Sequence, residues 1–112
     1  MKLRILGNSV RLRLGQSEVK RLVDGTVVEE STEFSPGNCL VYAVRPTSDA
    51  AAIECTFADG RMAISIPRDA LQRWASGDDV AIEHTQAKLR LVIEKDLQCE
   101  GRRDADAFPR KR

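Results

Sequence analysis

The sequence predicts an α+β fold, mainly β, in which duplicated ββαββ units form one pseudo-two-fold, β-barrel-like domain with two short helices. The residue pairs Gly7-Asn8 and Asp59-Gly60 each separate two runs of alternating apolar residues, which is the pattern of a β-hairpin. A short helical pattern and two strand patterns follow each hairpin, and the two halves align at an offset of 52 residues. The same order of elements at a fixed spacing predicts an internal duplication.

The first hairpin is predicted over residues 2–14. A two-residue turn at Gly7-Asn8 makes one face of this hairpin wholly apolar and directs it toward the core. The second hairpin has the same property. The predicted core therefore contains Ile5, Val10, Leu12, Ile64, Ile66 and Trp74.

The opposite face of the first hairpin is basic. It carries two directly opposed pairs of cations, Lys2 with Arg13 and Arg4 with Arg11. Like charges that lie directly opposite each other destabilise a strand pair. We therefore expect either the fold itself or an external ligand to supply neighbouring anions.

After the first hairpin, apolar residues at helical spacing predict a helix over residues 16–24, with Gly15 or Ser17 as its cap. β-Branched residues predict a strand over 26–34, and alternation predicts another over 39–45.

The second half repeats this order. It contains a hairpin over residues 53–66, a helix that starts at Pro67 and ends before Gly77, and strands over 80–86 and 89–97.

These elements predict a single domain over residues 1–97, with repeat one at 2–45 and repeat two at 51–97. Residues 98–112 lose the periodicity and are predicted to form a C-terminal tail. Phe108 is expected to anchor this tail to the body, and its basic end is expected to be a solvated, mobile terminus.

The composition is typical of a globular domain, with 42% hydrophobic and 31% charged residues in 112. An aromatic content of 4% argues against a stacking platform for single-stranded nucleic acid. No apolar run is long enough for a membrane span or a signal peptide.

Three cysteines without Cys-x-x-Cys spacing predict a reduced chain in the cytoplasm that has no disulfide.

Charge is unevenly distributed along the chain. Residues 1–22 carry six cations and one anion, whereas residues 23–60 carry one cation and seven anions. This polarity is compatible with a basic binding surface on a near-neutral protein. It is also compatible with pairing of the basic and acidic segments inside the fold, which is the commoner use of mixed charge.

The motifs of common enzymes are absent from the sequence. It contains no phosphate-binding loop, nucleophile elbow or zinc-binding spacing. His84 is the only histidine, and its place in an alternating run predicts a structural role in a strand. The sequence therefore predicts a protein that is not an enzyme, with no catalytic residue, no cofactor and no metal site.

Three segments of the second half resemble a known module. They are Met62-Ala-Ile-Ser-Ile-Pro67, Gly77-Asp-Asp-Val80-Ala-Ile82-Glu and Leu89-Arg-Leu-Val-Ile-Glu94-Lys. Their order is similar to that in the swapped-hairpin barrel domain of AbrB-like regulators and MazE-like antitoxins. The whole chain also resembles small uncharacterised bacterial proteins that begin with Lys-Leu-Arg-x-x-Gly-Asn-Ser and end with Asp-Ala-Asp-Ala-Phe-Pro.

In that superfamily two identical chains interleave their ββαββ units into one barrel. The resemblance implies that this single chain holds both units. In the DNA-binding members, basic residues of the first hairpin contact DNA, and the matching residues here are Lys2, Arg4, Arg11 and Arg13. The corresponding face of the second hairpin is far less basic, so a symmetric duplex site would lack half of its cations.

Two functions follow as hypotheses. The first is a DNA-contacting regulator or antitoxin-like module that uses the basic face of the first hairpin, and its duplex binding would depend steeply on salt. The alternative is a protein-interaction or accessory module that does not bind nucleic acid. Its basic face would be neutralised within the fold by Glu29, Glu30 and Glu33.

Overall fold

The structure is a computed structural model that describes residues 1–98 and 105–109. Within these residues, eight strands and two helices follow the predicted order. No helix in the two described ranges is long and apolar enough to cross a membrane. The elements are β1 (Lys2–Leu6), β2 (Ser9–Leu14), α1 (Gln16–Val23), β3 (Val28–Ser35), β4 (Asn38–Thr47), β5 (Glu54–Ala58), β6 (Arg61–Pro67), α2 (Arg68–Ser76), β7 (Ala81–Gln86) and β8 (Leu89–Lys95).

Two prolines lie in strands, contrary to the sequence prediction. Pro67 ends β6 and precedes the first residue of α2, and Pro46 lies in β4 beside Ile66. β4 tolerates Pro46 because its ladder with β3 ends at Val44, so the missing N–H removes no hydrogen bond on that side.

The strands form two four-stranded sheets. The first sheet has the order β1-β2-β8-β7, and the second has the order β3-β4-β6-β5. In each sheet the central pair is parallel, whereas the outer pairs are antiparallel hairpins. Each sheet therefore combines one hairpin from each half of the chain. Exchanging the first four strands with the last four leaves all of these pairings unchanged.

The predicted barrel-like domain is not closed in the residues that the structure describes, because their strands form two separate four-stranded sheets. Between the edge strands β5 and β7, the hydrogen bonds are made by the side chain of Gln86 and not by paired backbone groups of both strands. The Gln86 amide accepts from the backbone N–H of Cys55 at 2.7 Å and donates to the Cys55 carbonyl at 2.9 Å. Gln86 thereby occupies backbone groups through which the two edge strands would otherwise pair.

The inner faces of the two sheets and the apolar faces of both helices share one hydrophobic core. Ile5 lies on the core-facing side of its hairpin but is 59% exposed, so its predicted burial is wrong. The reason is its position on β1, the edge strand of the first sheet, because Val10, which lies opposite Ile5 on the inner strand β2, is buried. The other residues predicted to lie in the core are buried, namely Val10, Leu12, Ile64, Ile66 and Trp74.

All four hairpin turns lie at one end of the molecule, and the two helices lie at the other. The helices follow β2 and β6 and pack on each other, so these two strands end on the same side. β8 runs parallel to β2, and β4 runs parallel to β6. The turns that precede these four strands therefore lie together, and we call them the hairpin-tip end, at residues 7–8, 36–37, 59–60 and 87–88.

Residues 105–109 pack against the helical end. Phe108 forms a parallel bridge with Leu97, and its N–H donates to the Asp96 carbonyl at 2.8 Å. Phe108 thus anchors this segment beside the end of β8, as the sequence predicts. The basic end of the tail, residues 110–112, lies outside the described residues, and the mobility predicted for it therefore stays a prediction.

Candidate functional site

The first hairpin forms in the predicted register. Lys2 lies opposite Arg13, and Arg4 lies opposite Arg11. The intervening residues of β2 line the core, so these four side chains share the outer face of the first sheet. The structure therefore brings the four predicted site residues together on one surface, which we call the basic hairpin face.

Two carboxylates at the end of β8 neutralise much of the basic hairpin face. Asp96 Oδ2 lies 2.7 Å from Lys2 Nζ, and Glu94 Oε1 lies 2.5 Å from Arg13 Nε. Glu94 also lies 3.4 Å from the guanidinium of Arg11. The side chains of Asp96 and Glu94 are only 11% and 13% exposed, so salt screens these ion pairs less than it screens pairs on an open surface.

Arg4 is the one member of the basic hairpin face without an ion pair in the part of the chain that the structure describes. On the same face, Val92 lies beside Arg11 and is buried, which indicates that long neighbouring side chains lie over it. Farther along this face, Arg90 binds Glu83 at 3.1 Å. The surface is therefore one of mixed charge, with acids between its cations.

The predicted internal partners of the basic hairpin face are wrong. Glu29 binds Arg61 at 2.5 Å, and Glu30 binds the amino terminus at 2.8 Å. Glu33 lies 3.9 Å from the thiol of Cys39. All three acids belong to β3, which is an edge strand of the second sheet. The partner acids come from the end of β8 instead, because β8 is the strand that pairs with β2.

Exposed apolar side chains lie beside the turns of the hairpin-tip end. Phe34 is 73% exposed and Phe57 is 67% exposed, and each lies two residues before its turn. Ile5 has the equivalent position in the first hairpin, and the neighbouring Leu6 is exposed as well. The chain contains only one Trp, one Tyr and three Phe. Two of these few aromatic residues are therefore exposed to solvent at one end of the molecule.

The start of α1 is tied to the amino terminus by Glu18. This carboxylate accepts from the Gly15 N–H at 2.9 Å and from the α-ammonium of Met1 at 2.7 Å. Burial by itself lowers the pKa of this α-ammonium. The hydrogen bonds and charges of Glu18 and Glu30 outweigh burial and raise the pKa above its usual value of 8.0.

The tail supplies the N-cap that α1 lacks in its own sequence. The Asp106 carboxylate accepts from the backbone N–H and the hydroxyl of Ser17 at 2.9 and 2.8 Å. The Asp106 carbonyl accepts from the Gln16 N–H at 2.7 Å. A Cβ at Gly15 would lie 2.9 Å from that same carbonyl oxygen, so only glycine leaves room for the docked tail. The sequence signal for this contact is a glycine at a position where a capping side chain is usual.

Lys95 joins the end of α2 to the docked tail. Its Nζ donates to the Gly77 carbonyl at 2.9 Å, and it lies 5.9 Å from the centre of the Trp74 ring and 5.5 Å from that of Phe108. Aromatic faces attract a cation at these distances. Sequence reasoning missed this group because Phe108 reaches Lys95 only when the tail docks.

The cysteines and the histidine do not form a common site in the described residues. Cys39 and Cys55 are free thiols, as predicted, and Cys99 lies outside the described residues. Burial raises the pKa of the Cys55 thiol, which therefore stays protonated and unreactive. His84 is exposed on β7. Within residues 1–98 and 105–109, no group of three or more His, Cys, Asp or Glu residues is arranged to hold a metal ion.

Comparison with known proteins yields a family without an assigned activity. The model of a family of unknown function (DUF7009) matches residues 1–110. No curated protein and no solved structure matches the chain. Any functional conclusion therefore depends on the geometry.

Proposed function

The chain belongs to the DUF7009 family, and from its geometry we propose that it is a non-enzymatic protein-interaction module that binds a partner protein through the hairpin-tip end. The exposure of Phe34 and Phe57 beside their turns is the observation that carries this proposal. Aromatic side chains offer a large contact area with few rotatable bonds, and they are enriched at the centres of protein interfaces.

The partner is a protein surface with apolar recesses. Phe34 lies on the edge strand β3 and Phe57 lies on the edge strand β5, at the two sides of the second sheet. Ile5 and Leu6 add apolar contacts from the first sheet at the same end of the molecule. Four such side chains lose contact with water when a partner covers them, and this burial stabilises the complex.

The ion pairs of the basic hairpin face favour a protein partner over nucleic acid. A phosphate that binds Lys2 or Arg13 must displace a carboxylate from its cation or accept repulsion from it. The gain from releasing counterions, which drives most binding to DNA, is correspondingly smaller. This face is suited to the polar rim of an interface.

Contact with DNA is the second candidate function, and Arg4 is the observation that favours it. Arg4 is exposed, and it has no ion pair among the described residues. Its neighbour Arg11 has the longest of the three ion-pair distances on this face, 3.4 Å. These two cations are the ones that a backbone phosphate would reach with the least competition from carboxylates.

We also propose that the two halves derive from one duplicated ββαββ unit of the kind found in AbrB-like and MazE-like proteins. The shared order of elements supports this, as does strand pairing that is unchanged when the halves are exchanged. The free thiols of Cys39 and Cys55 support a reducing, cytoplasmic location.

A photo-crosslinking amino acid at position 34 or 57 tests the proposed interface in cells. We expect both positions to give the same covalent adduct with one partner protein, because both side chains lie at the hairpin-tip end. The mass of the adduct distinguishes a second copy of this chain from a different protein. The matched control is position 73, where Arg73 is exposed on α2 at the opposite end.

Competition shows whether the adduct reports a specific surface. Excess unlabelled wild-type chain is expected to abolish the adduct, whereas a chain carrying Phe34→Ser and Phe57→Ser is expected to leave it intact. Neither substitution disturbs the core, since both side chains are exposed. Equal yields from positions 34, 57 and 73, or no adduct from 34 and 57, would contradict the proposal.

A further inference from the structure

A cavity of about 410 Å³ lies at the helical end, between the end of α2 and the docked tail. This volume is within the range of pockets that hold small organic ligands. Lys95 is the only cation in its wall among the described residues. The rest of the wall is formed by Ala75, Gly77, Asp78, Val80, Leu97, Phe108 and Pro109.

The ammonium group of Lys95 faces this cavity. Gly77, which accepts its hydrogen bond, and Phe108, whose ring it overlies, are both part of the wall. Lys95 is buried, being only 9% exposed. An ammonium group has three N–H donors, and the Gly77 carbonyl uses one of them.

Lys95 has no carboxylate partner in the residues that the structure describes. The acids on either side of it along the chain, Glu94 and Asp96, bind Arg13 and Lys2 on the outer face of the first sheet. Asp78, the other charged residue of the wall, is engaged in a contact of its own. A buried charge without a counter-ion is costly, and a bound anion offsets that cost.

We propose that this cavity binds a small organic carboxylate with an apolar or aromatic body. The carboxylate accepts from the two remaining donors of Lys95, and the apolar wall packs against the body of the ligand. The cavity belongs to the helical end, so the ligand and a partner protein at the hairpin-tip end bind independently of each other.

Titration of the full chain with phenylacetate and with phenylacetamide tests this proposal. The two probes have nearly the same shape and differ in charge. The fluorescence of Trp74 is a specific readout, because it is the only tryptophan in the chain and its ring lies beneath Lys95. Phenylacetate is expected to bind at least about tenfold more tightly than the amide, as charge-assisted hydrogen bonds are stronger than neutral ones.

Two variants separate the roles of charge and space. Lys95→Met keeps the length of the side chain, and it is expected to abolish the preference for the carboxylate. Ala75→Leu retains Lys95 but fills part of the cavity, and it is expected to weaken both probes. If Lys95→Met fails to fold, the comparison of the two probes on the wild-type chain still decides the question. Equal affinities for both probes, or no saturable signal from phenylacetate at millimolar concentration, would overturn the proposal.

Discussion

Replacing Leu12 with alanine is expected to lower the free energy of unfolding by about 3 kcal/mol, which is typical of a fully buried leucine. Leu12 is completely buried, and it lies on β2 between β1 and β8 in the middle of the first sheet. Its loss removes apolar contacts and leaves a cavity that the packed sheets cannot fill. Chemical denaturation of the wild type and the variant measures this difference directly.

Ile5→Ala is the matched control. Ile5 and Leu12 lie on the same face of the same hairpin, but Ile5 is 59% exposed. We expect its replacement to cost less than about 0.5 kcal/mol, as for most surface positions. Similar losses for the two variants would show that the hairpin tip belongs to the core and is not free to contact a partner.

Gly15→Ala is expected to lower the free energy of unfolding by about 2 kcal/mol, the upper end of the range for a lost helix cap. The backbone of Gly15 is in an extended conformation that alanine also adopts, so the cost does not arise from backbone strain. It arises because the new Cβ would lie 2.8 Å from the Asp106 carboxyl carbon and would displace the docked tail. Ser17 and Gln16 then lose their hydrogen bonds to Asp106.

A double-mutant cycle with Asp106→Ala separates this mechanism from a local effect on the helix. Asp106→Ala alone is expected to cost about 1 kcal/mol, because it removes the cap but not the glycine. In that background Gly15→Ala is expected to cost less than it does in the wild type, since the carboxyl group that the new Cβ would meet is gone. If the loss of unfolding free energy in the double variant equals the sum of the losses in the two single variants, the role assigned to the tail is contradicted.

The hairpins and their register are predictable from local sequence. A two-residue turn fixes which residues of its two strands lie opposite each other, and Lys2 and Arg13, like Arg4 and Arg11, are paired as predicted. The assembly of the hairpins is not predictable in this way. The parallel pairing of β2 with β8 joins the two ends of the domain, and no local pattern encodes it.

The candidate site shows the same division between local and long-range structure. The four cations of the basic hairpin face are visible in the sequence, because alternation assigns them to one side of a hairpin. Their partners Glu94 and Asp96 are not visible, since they reach the face only through the β2–β8 pairing. Asp106 is hidden for the same reason, as the tail docks on α1 only in the folded chain.

The interaction module proposed here is tested most directly by binding of duplex DNA across a series of salt concentrations. Glu94 and Asp96 already offset much of the positive charge of the basic hairpin face, so we predict weak binding with a shallow salt dependence. This result should be the same for the wild type and for a chain carrying Arg4→Ala and Arg11→Ala. A steep slope of log K against log salt, of about −0.9 per phosphate contacted, that flattens in this variant would contradict the account and support DNA contact.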